Sequence, residues 1–237
     1  DILKIKRSNK FKIYKRILVT LIKLQNIKVK KIKNFKKKFY KIPIYSKSLL
    51  LEEVNLFFKW YVPHIFNKKK RFKINSQLRK VISSLLKKIK LPNNTFVHRD
   101  FHVSNLMLKK RVISVIDSQD AVYGNIAYDL ASLIDDVRLR TSKNMKEMIY
   151  KEYLYLNKKK INIKKFKNDF EILSVLRNLK IIGIFTRLAN RDNKKQYLKL
   201  IPHAWELIEL RIKNNYIFKD LKKNLETNFP KKIRIKK

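Results

Sequence analysis

The feature that most constrains the fold of this chain is a polar loop, residues 98–105 (HRDFHVSN), that follows a short β-prone run. Residues 106–116 then have the composition of a β-hairpin, and Asp117 comes directly after them. Because a hairpin returns the chain to the point where it began, we expect Asp100, Asn105 and Asp117 to lie close together. The stretch therefore predicts a small β element that gathers three polar side chains.

These three side chains carry the groups that phosphoryl transfer from ATP requires. A carboxylate within hydrogen-bonding reach of an attacking hydroxyl accepts its proton, and we predict this role of catalytic base for Asp100. Mg²⁺ prefers oxygen ligands, which Asn105 and Asp117 offer as an amide and a carboxylate. The pattern indicates a kinase site that uses ATP and Mg²⁺. The alternative interpretation is a turn rich in Asp, Asn and Ser that only caps two strands.

Two histidines lie in the same loop, His98 and His102. A histidine beside a catalytic loop more often holds backbone carbonyl groups in place than it transfers protons. We therefore predict a structural role for both.

The nucleotide-binding parts that such chemistry needs are not found before the loop. Enzymes of this kind hold the ATP phosphates with a glycine-rich loop and with a lysine on a preceding strand. The chain has two glycines, Gly124 and Gly183, and both follow the loop. We therefore expect the N-terminal kinase lobe to be missing from this chain, and we expect the chain alone to have weak or absent activity.

Composition narrows the class of protein further. With 45% hydrophobic residues over 237 positions, the chain is long and apolar enough for a globular core. It has no cysteine, which excludes disulfides and thiolate metal sites and fits the reducing cytoplasm. Its apolar runs are too short to cross a bilayer, so we expect no membrane partner.

The net charge of +42 would ordinarily indicate a nucleic-acid partner. However, the lysines lie along every segment instead of forming one stripe. Abundant Lys, Ile, Asn, Tyr and Phe, with scarce Ala, Gly and Pro, is what AT-rich codons produce. Nucleic-acid binding is therefore not the expected role.

Helical periodicity occupies most of the remaining chain. It predicts helices over the N-terminal stripe around 18–25 and over 50–61, 78–89, 126–140, 143–157, 164–190 and 196–214. Together with the hairpin, this predicts an α+β chain that is mainly helical. We expect one lobe over 1–217, with the catalytic loop and metal segment at 95–135, and a basic C-terminal tail over 218–237.

Three motifs resemble one known superfamily. Residues 98–107 (HRDFHVSNLM) are similar to the catalytic loop of the aminoglycoside phosphotransferase and choline kinase superfamily. Residues 116–124 (IDSQDAVYG) and 127–133 (AYDLASL) resemble its metal-binding segment and the helix that follows. The resemblance implies a protein-kinase-like fold, of which this chain would be mainly the helical C-terminal lobe. It also implies that Asp129 anchors the catalytic loop through buried hydrogen bonds.

Within that superfamily the chain is most similar to the cell-wall sugar kinases. Three stretches carry this likeness: 50–61, 119–124 and 176–188. The resemblance implies transfer of phosphate from ATP to the anomeric hydroxyl of N-acetylmuramate or N-acetylglucosamine during cell-wall recycling. Family members have Phe where this chain has Ser118, so a packing contact under the metal loop would be lost.

Further residues are candidates for binding the sugar. They are Glu52, Glu53, Asp120, Arg177 and Arg187. A polar helix face explains the four on helices equally well, and Asp120 would hold a second metal ion or cap a turn. An arginine facing the lactyl carboxylate of N-acetylmuramate would be chemically reasonable.

Two other functions stay open from the sequence. One is phosphorylation of an aminoglycoside or another small molecule by the same fold. Aminoglycosides are polycations, and 18 acidic against 60 basic residues make their binding less favourable. The other is a non-catalytic basic binding module.

Overall fold

The computed structural model describes residues 7–33, 35–110, 112–157 and 161–235. The α-helices are α1 (Arg7–Gln25), α2 (Lys47–Leu56), α3 (Val62–Ile65), α4 (Lys68–Lys87), α5 (Tyr128–Ile134), α6 (Lys143–Leu156), α7 (Ile163–Arg191), α8 (Ile201–Ile212), α9 (Lys219–Asn228) and α10 (Lys231–Arg234). The strands are β1 (Lys31–Lys33), β2 (Phe39–Lys41), β3 (Asn93–Val97), β4 (Leu106–Lys109), β5 (Val112–Val115) and β6 (Val122–Asn125). The expectation of a mainly helical α+β chain is thus confirmed, and the β4–β5 hairpin follows the polar loop 98–105.

The chain divides into two compact units. Unit 1 consists of Asp1–Ser46 and Lys90–Phe170, and unit 2 consists of Lys47–Ile89 and Glu171–Lys237.

Unit 1 contains all six described strands, paired two by two. The antiparallel pairs are β1 with β2, β3 with β6, and β4 with β5. In the β3–β6 pair Val97 lies opposite Val122, so the catalytic loop leaves β3 at a buried position. The core beside these strands is rich in fully buried aromatic side chains, namely Tyr14, Tyr45, Phe101, Tyr128, Tyr153, Phe166 and Phe170.

Unit 2 is helical and has an aromatic core. The rings of Phe57, Tyr61, Trp205 and Phe229 pack with centroids 5.2–6.0 Å apart. The Trp205 indole donates a hydrogen bond to the Tyr61 hydroxyl at 3.1 Å. Burial disfavours the phenolate and raises the pKa of Tyr61 to about 12.

The structure departs from several expected helix bounds. The helix expected over 126–140 ends at Ile134, where Asp135 leaves the helical conformation (φ −106°, ψ 42°). Asp136 then accepts a hydrogen bond from the amide of Arg138, which favours a turn over another helical turn. The helix expected over 50–61 is α2 followed by a π-helical segment, Phe57–Tyr61, that continues into α3. Pro63 is tolerated there because it lies in the first turn of α3.

Three other segments differ from what the sequence pattern indicated. Lysine-rich residues 28–41 contain the β1–β2 hairpin. The helix expected over 196–214 is a 3₁₀ segment, Lys195–Leu200, followed by α8. The expected basic tail contains α9 and α10, with Phe218, Leu221 and Leu225 fully buried.

Among the residues described, no helix combines the length and the apolar character needed to cross a membrane.

Candidate active site

A buried carboxylate from α5 holds the start of the catalytic loop. Asp129 is fully buried, and its two oxygens accept hydrogen bonds from the amides of His98 (2.7 Å) and Arg99 (3.1 Å). Arg99 has φ 72°, a left-handed conformation that costs energy for a residue with a side chain. The Asp129 carboxylate therefore stabilises a backbone turn that the chain would otherwise avoid.

The Arg99 side chain extends the same network. Its guanidinium lies over the Tyr45 ring, 5.3 Å from the centroid, and donates to the Asp120 carbonyl at 3.2 Å. The Tyr45 hydroxyl in turn donates to Tyr128 at 3.0 Å. Asp120 is thus tied to the loop through its backbone, while its side chain is exposed.

Asp100 and Asn105 are joined by the short turn between them. The amides of His102 and the Asn105 side chain both donate to the Asp100 carbonyl, each at 3.0 Å. The Asn105 amide also donates to the His102 carbonyl at 2.9 Å. Since the Asn105 side-chain nitrogen is engaged in this turn, its carbonyl oxygen is the atom left to face a cation.

The β4–β5 hairpin brings Asp117 to the same place. Leu106 pairs with Val115, and one residue further the amide of Ile116 donates to the Asn105 carbonyl at 3.1 Å. Asp117 follows with φ 71° and an exposed side chain that accepts from Gln119 at 2.8 Å. An amide oxygen and a carboxylate at one end of a hairpin fit the oxygen-ligand chemistry of Mg²⁺.

His98 connects the loop to this hairpin. It is 1% exposed, and its Nε2 donates to the Ile116 carbonyl at 3.0 Å. Its Nδ1 is buried and has no hydrogen-bond partner among the described residues. Burial lowers the pKa of His98, and this outweighs the opposite effect of the nearby Asp100 and Asp117 charges. The ring is therefore neutral, and protonation would bury an unpaired N–H. His102, 5% exposed, contributes to the turn through its backbone.

Two further carboxylates hold backbone near the loop, and the sequence analysis missed both. Asp136, 1% exposed, accepts from the Val103 amide at 3.2 Å. Asp169, fully buried, accepts from the amides of Lys90 (2.9 Å) and Leu91 (2.7 Å) and from the Asn125 side chain (2.7 Å). The local sequence marks neither carboxylate, since each lies among both polar and apolar residues.

The other candidates for sugar binding belong to unit 2. Glu52 is exposed, whereas Glu53 is buried and forms an ion pair with Lys180 at 2.8 Å. Arg177 is buried and Arg187 is partly exposed. Asp100, Asn105 and Asp117 are brought together within unit 1.

The sequence matches known proteins over much of this region. The family model described as "Phosphotransferase enzyme family" matches residues 21–159. N-acetylmuramate/N-acetylglucosamine kinase of Neisseria meningitidis serogroup B is 33% identical over 166 residues, which are 68% of this chain and 50% of that protein. The kinases of the same name from Pseudomonas putida and Pseudomonas aeruginosa are 32% and 27% identical, over 70% and 72% of this chain and 51% and 52% of theirs.

The chain spans about half the length of the curated relatives it matches. One solved structure, "Amicoumacin kinase hAmiN in complex with AMP-PNP, Ca2+ and Ami", is 11% identical with a TM-score of 0.41, covering 86% of this chain and 79% of that one. That similarity is too low to bear on the fold. The family match, in contrast, covers more than half of the chain and includes the catalytic loop, the hairpin and α5. The chain belongs to the phosphotransferase enzyme family.

Proposed function

We propose that this chain provides the catalytic loop and metal-binding segment of an ATP-dependent kinase that phosphorylates a sugar hydroxyl. The observation that carries the proposal is the meeting of Asp100, Asn105 and Asp117 at one end of the β4–β5 hairpin. Three buried carboxylates, those of Asp129, Asp136 and Asp169, hold the backbone on either side. Such support is what a site needs in order to position reacting groups.

In the proposed reaction the Asp100 carboxylate accepts the proton of the attacking hydroxyl. The hydroxyl oxygen forms a bond to the γ-phosphorus of ATP, the bond to the β,γ-bridging oxygen breaks, and ADP leaves. Asn105 and Asp117 would hold Mg²⁺, which supplies neutralisation of phosphate charge when bound. Neutral His98 keeps the loop and the end of the hairpin together through its bond to Ile116.

The substrate part of the proposal rests on the relatives. Each of them is named N-acetylmuramate/N-acetylglucosamine kinase, and we propose the anomeric hydroxyl of these sugars as the acceptor. A cytoplasmic role in cell-wall recycling follows from that substrate. We also propose that the groups that clamp the ATP phosphates lie outside these 237 residues, because both glycines follow the catalytic loop.

The test is a phosphate-transfer assay with Mg-ATP and three acceptors: N-acetylmuramate, N-acetylglucosamine and kanamycin. It is run on this chain and on any longer translation product of the same reading frame. Asp100→Asn should lower transfer to the amino sugars at least about a hundredfold, since general-base catalysis contributes about 10²–10⁴-fold. Asp220→Asn, at an exposed carboxylate of α9, should have no effect.

Three outcomes would count against the proposal. Transfer to kanamycin alone would assign the chain to the antibiotic kinases. Undiminished transfer by the Asp100→Asn variant would remove Asp100 as the base. No transfer by any product of the reading frame would favour a binding module instead.

A further inference from the structure

Helix α7 buries two cationic side chains one turn apart in unit 2. Arg177 is 4% exposed and Lys180 is 9% exposed. Arginine and lysine are almost never this buried unless they are paired. Lys180 is paired, because its Nζ lies 2.8 Å from a carboxylate oxygen of Glu53, which is itself buried.

Arg177 has no such partner among the residues that the structure describes. Its Nε and Nη1 are buried, and neither makes a hydrogen bond to a described residue. Among the buried side chains of unit 2 that the structure describes, the carboxylate is Glu53, and Lys180 already engages it. Arg234, which is also buried, pairs with Glu209 at 2.6 Å. Within the part of the chain that the structure describes, the buried guanidinium of Arg177 therefore has no compensating negative charge.

A buried guanidinium without a counter-charge destabilises the folded chain when no ligand is bound. A guanidinium does not lose its proton in a protein, so Arg177 cannot escape the cost by becoming neutral. A buried charge without a partner loses its hydration and gains nothing in return. Water would accept hydrogen bonds from the guanidinium but would leave the charge in place. An anion would accept the hydrogen bonds and also neutralise the charge.

We propose that Arg177, with Lys180 beside it, forms an anion-binding site that takes a carboxylate or phosphate group. Residues three apart on a helix lie on the same face, so both cations face one region. With Glu53 counted, the cluster retains one excess positive charge. Carboxylates and phosphates are the groups that a planar guanidinium binds best, often through two hydrogen bonds.

The anion has two possible sources with the same chemistry: free inorganic phosphate and a carboxylate carried by a sugar. N-acetylmuramate differs from N-acetylglucosamine by a lactyl ether that bears a carboxylate. That the sugar supplies the anion rests on the proposed function, whereas the anion site itself does not. The two sources can therefore be tested apart.

The site is tested first by thermal unfolding of this chain in inorganic phosphate or sodium lactate, with sodium chloride keeping the ionic strength constant. The wild-type midpoint should rise with anion concentration and reach a plateau. Arg177→Gln should unfold at a higher temperature than wild type in chloride alone, because the uncompensated charge is gone, and should show no response to either anion. Arg191→Gln removes an arginine of the same helix whose side chain is 57% exposed, and should respond like wild type.

The source is tested by equilibrium titration with the two sugars. If the sugar supplies the anion, Arg177→Gln should weaken N-acetylmuramate binding about ten- to a hundredfold and leave N-acetylglucosamine unchanged. If Arg177→Gln binds each sugar as tightly as wild type does, while the wild-type midpoint still rises with phosphate, free phosphate is identified as the ligand. Arg177→Lys keeps the charge and should keep a weaker anion response, which provides a readout if Arg177→Gln does not fold. A wild-type midpoint that stays constant when phosphate or lactate replaces chloride at the same ionic strength would overturn the site.

Discussion

Replacing Gly183 with alanine tests how closely α7 packs against other backbone in unit 2. A Cβ at Gly183 would clash with the carbonyl carbon of Leu56 and the amide nitrogen of Phe57. It would also lie 2.5 Å from the Leu56 oxygen, whereas ordinary contacts are 3.4–4 Å. The atoms in the way are backbone atoms at the junction of α2 with the π-helical segment. They cannot rotate aside as the end of a side chain would.

The expected magnitude follows from two opposing effects. Alanine is favoured over glycine in a helix interior by about 1 kcal/mol. Overpacking costs about 1–3 kcal/mol, and a backbone displacement of about 1 Å belongs at the upper end of that range. We therefore expect Gly183→Ala to lower the free energy of unfolding by about 2 kcal/mol.

Urea unfolding followed by circular dichroism measures this change, with the slope m checked for constancy. The matched control is the same substitution at Gly124. A Cβ there would meet the Val97 and Tyr45 side chains at 3.1 and 3.2 Å, so a few tenths of an ångström of adjustment suffice and the loss should be smaller. A Gly183→Ala variant more stable than wild type would show that helix propensity dominates, and would refute the close approach.

Three further predictions concern the carboxylates and the histidine around the loop. Asp129→Asn should lower the free energy of unfolding by about 3 kcal/mol, because one of the two amides loses its acceptor and the other keeps only a neutral one. Asp220→Asn, at an exposed site, should change it by less than about 0.5 kcal/mol in the same urea titration. Asp136→Asn should reduce kcat of the proposed kinase by roughly ten- to a hundredfold through a misplaced Val103 turn, with KM little changed and with Asp136→Glu partly restoring kcat. The folded-state pKa of His98 lies below its ordinary 6.5, so the unfolded chain binds the proton first as pH falls. His98 should therefore lower the free energy of unfolding as the pH falls below 6.5 and should have no such effect above it. Between about pH 7.5 and about pH 5.5, the free energy of unfolding should decrease less in His98→Gln than in wild type.

The hairpin that brings the candidate site together could be predicted because its information is local. Asp100, Asn105 and Asp117 lie within one short stretch, and a turn followed by a hairpin needs no distant residue to bring them together. Helices α6 and α7 were likewise predictable, since each has apolar residues at helical spacing. The buried side of a helix is recorded in its own periodicity.

The carboxylates that support the loop could not be predicted in the same way. Asp169 accepts hydrogen bonds from residues 78 and 79 positions away, and Asp136 accepts one from 33 positions away. Nothing in the local sequence distinguishes a buried acceptor from a solvent-exposed helix residue. Only the fold decides which amide each carboxylate meets.

The β1–β2 hairpin was missed for a different reason. All residues of β1 and β2 are exposed, so neither strand has a buried face to impose an alternation of apolar and polar side chains. Its lysines also resemble those of every other segment. The π-helical segment Phe57–Tyr61 could not be predicted either, since its apolar residues fit an ordinary α-helix pattern.

The order of unit 1 along the chain has a consequence for its synthesis. Its two parts are separated by Lys47–Ile89, which belong to unit 2, and Asp169 near its end binds the backbone where β3 begins. During translation the catalytic loop leaves the ribosome well before the carboxylate that secures this strand. We therefore expect the loop to reach its final geometry late, after α7 has begun to form. Until Asp169 has been synthesised, the amides of Lys90 and Leu91 lack this acceptor, and we expect β3 to be more open to pairing with other segments.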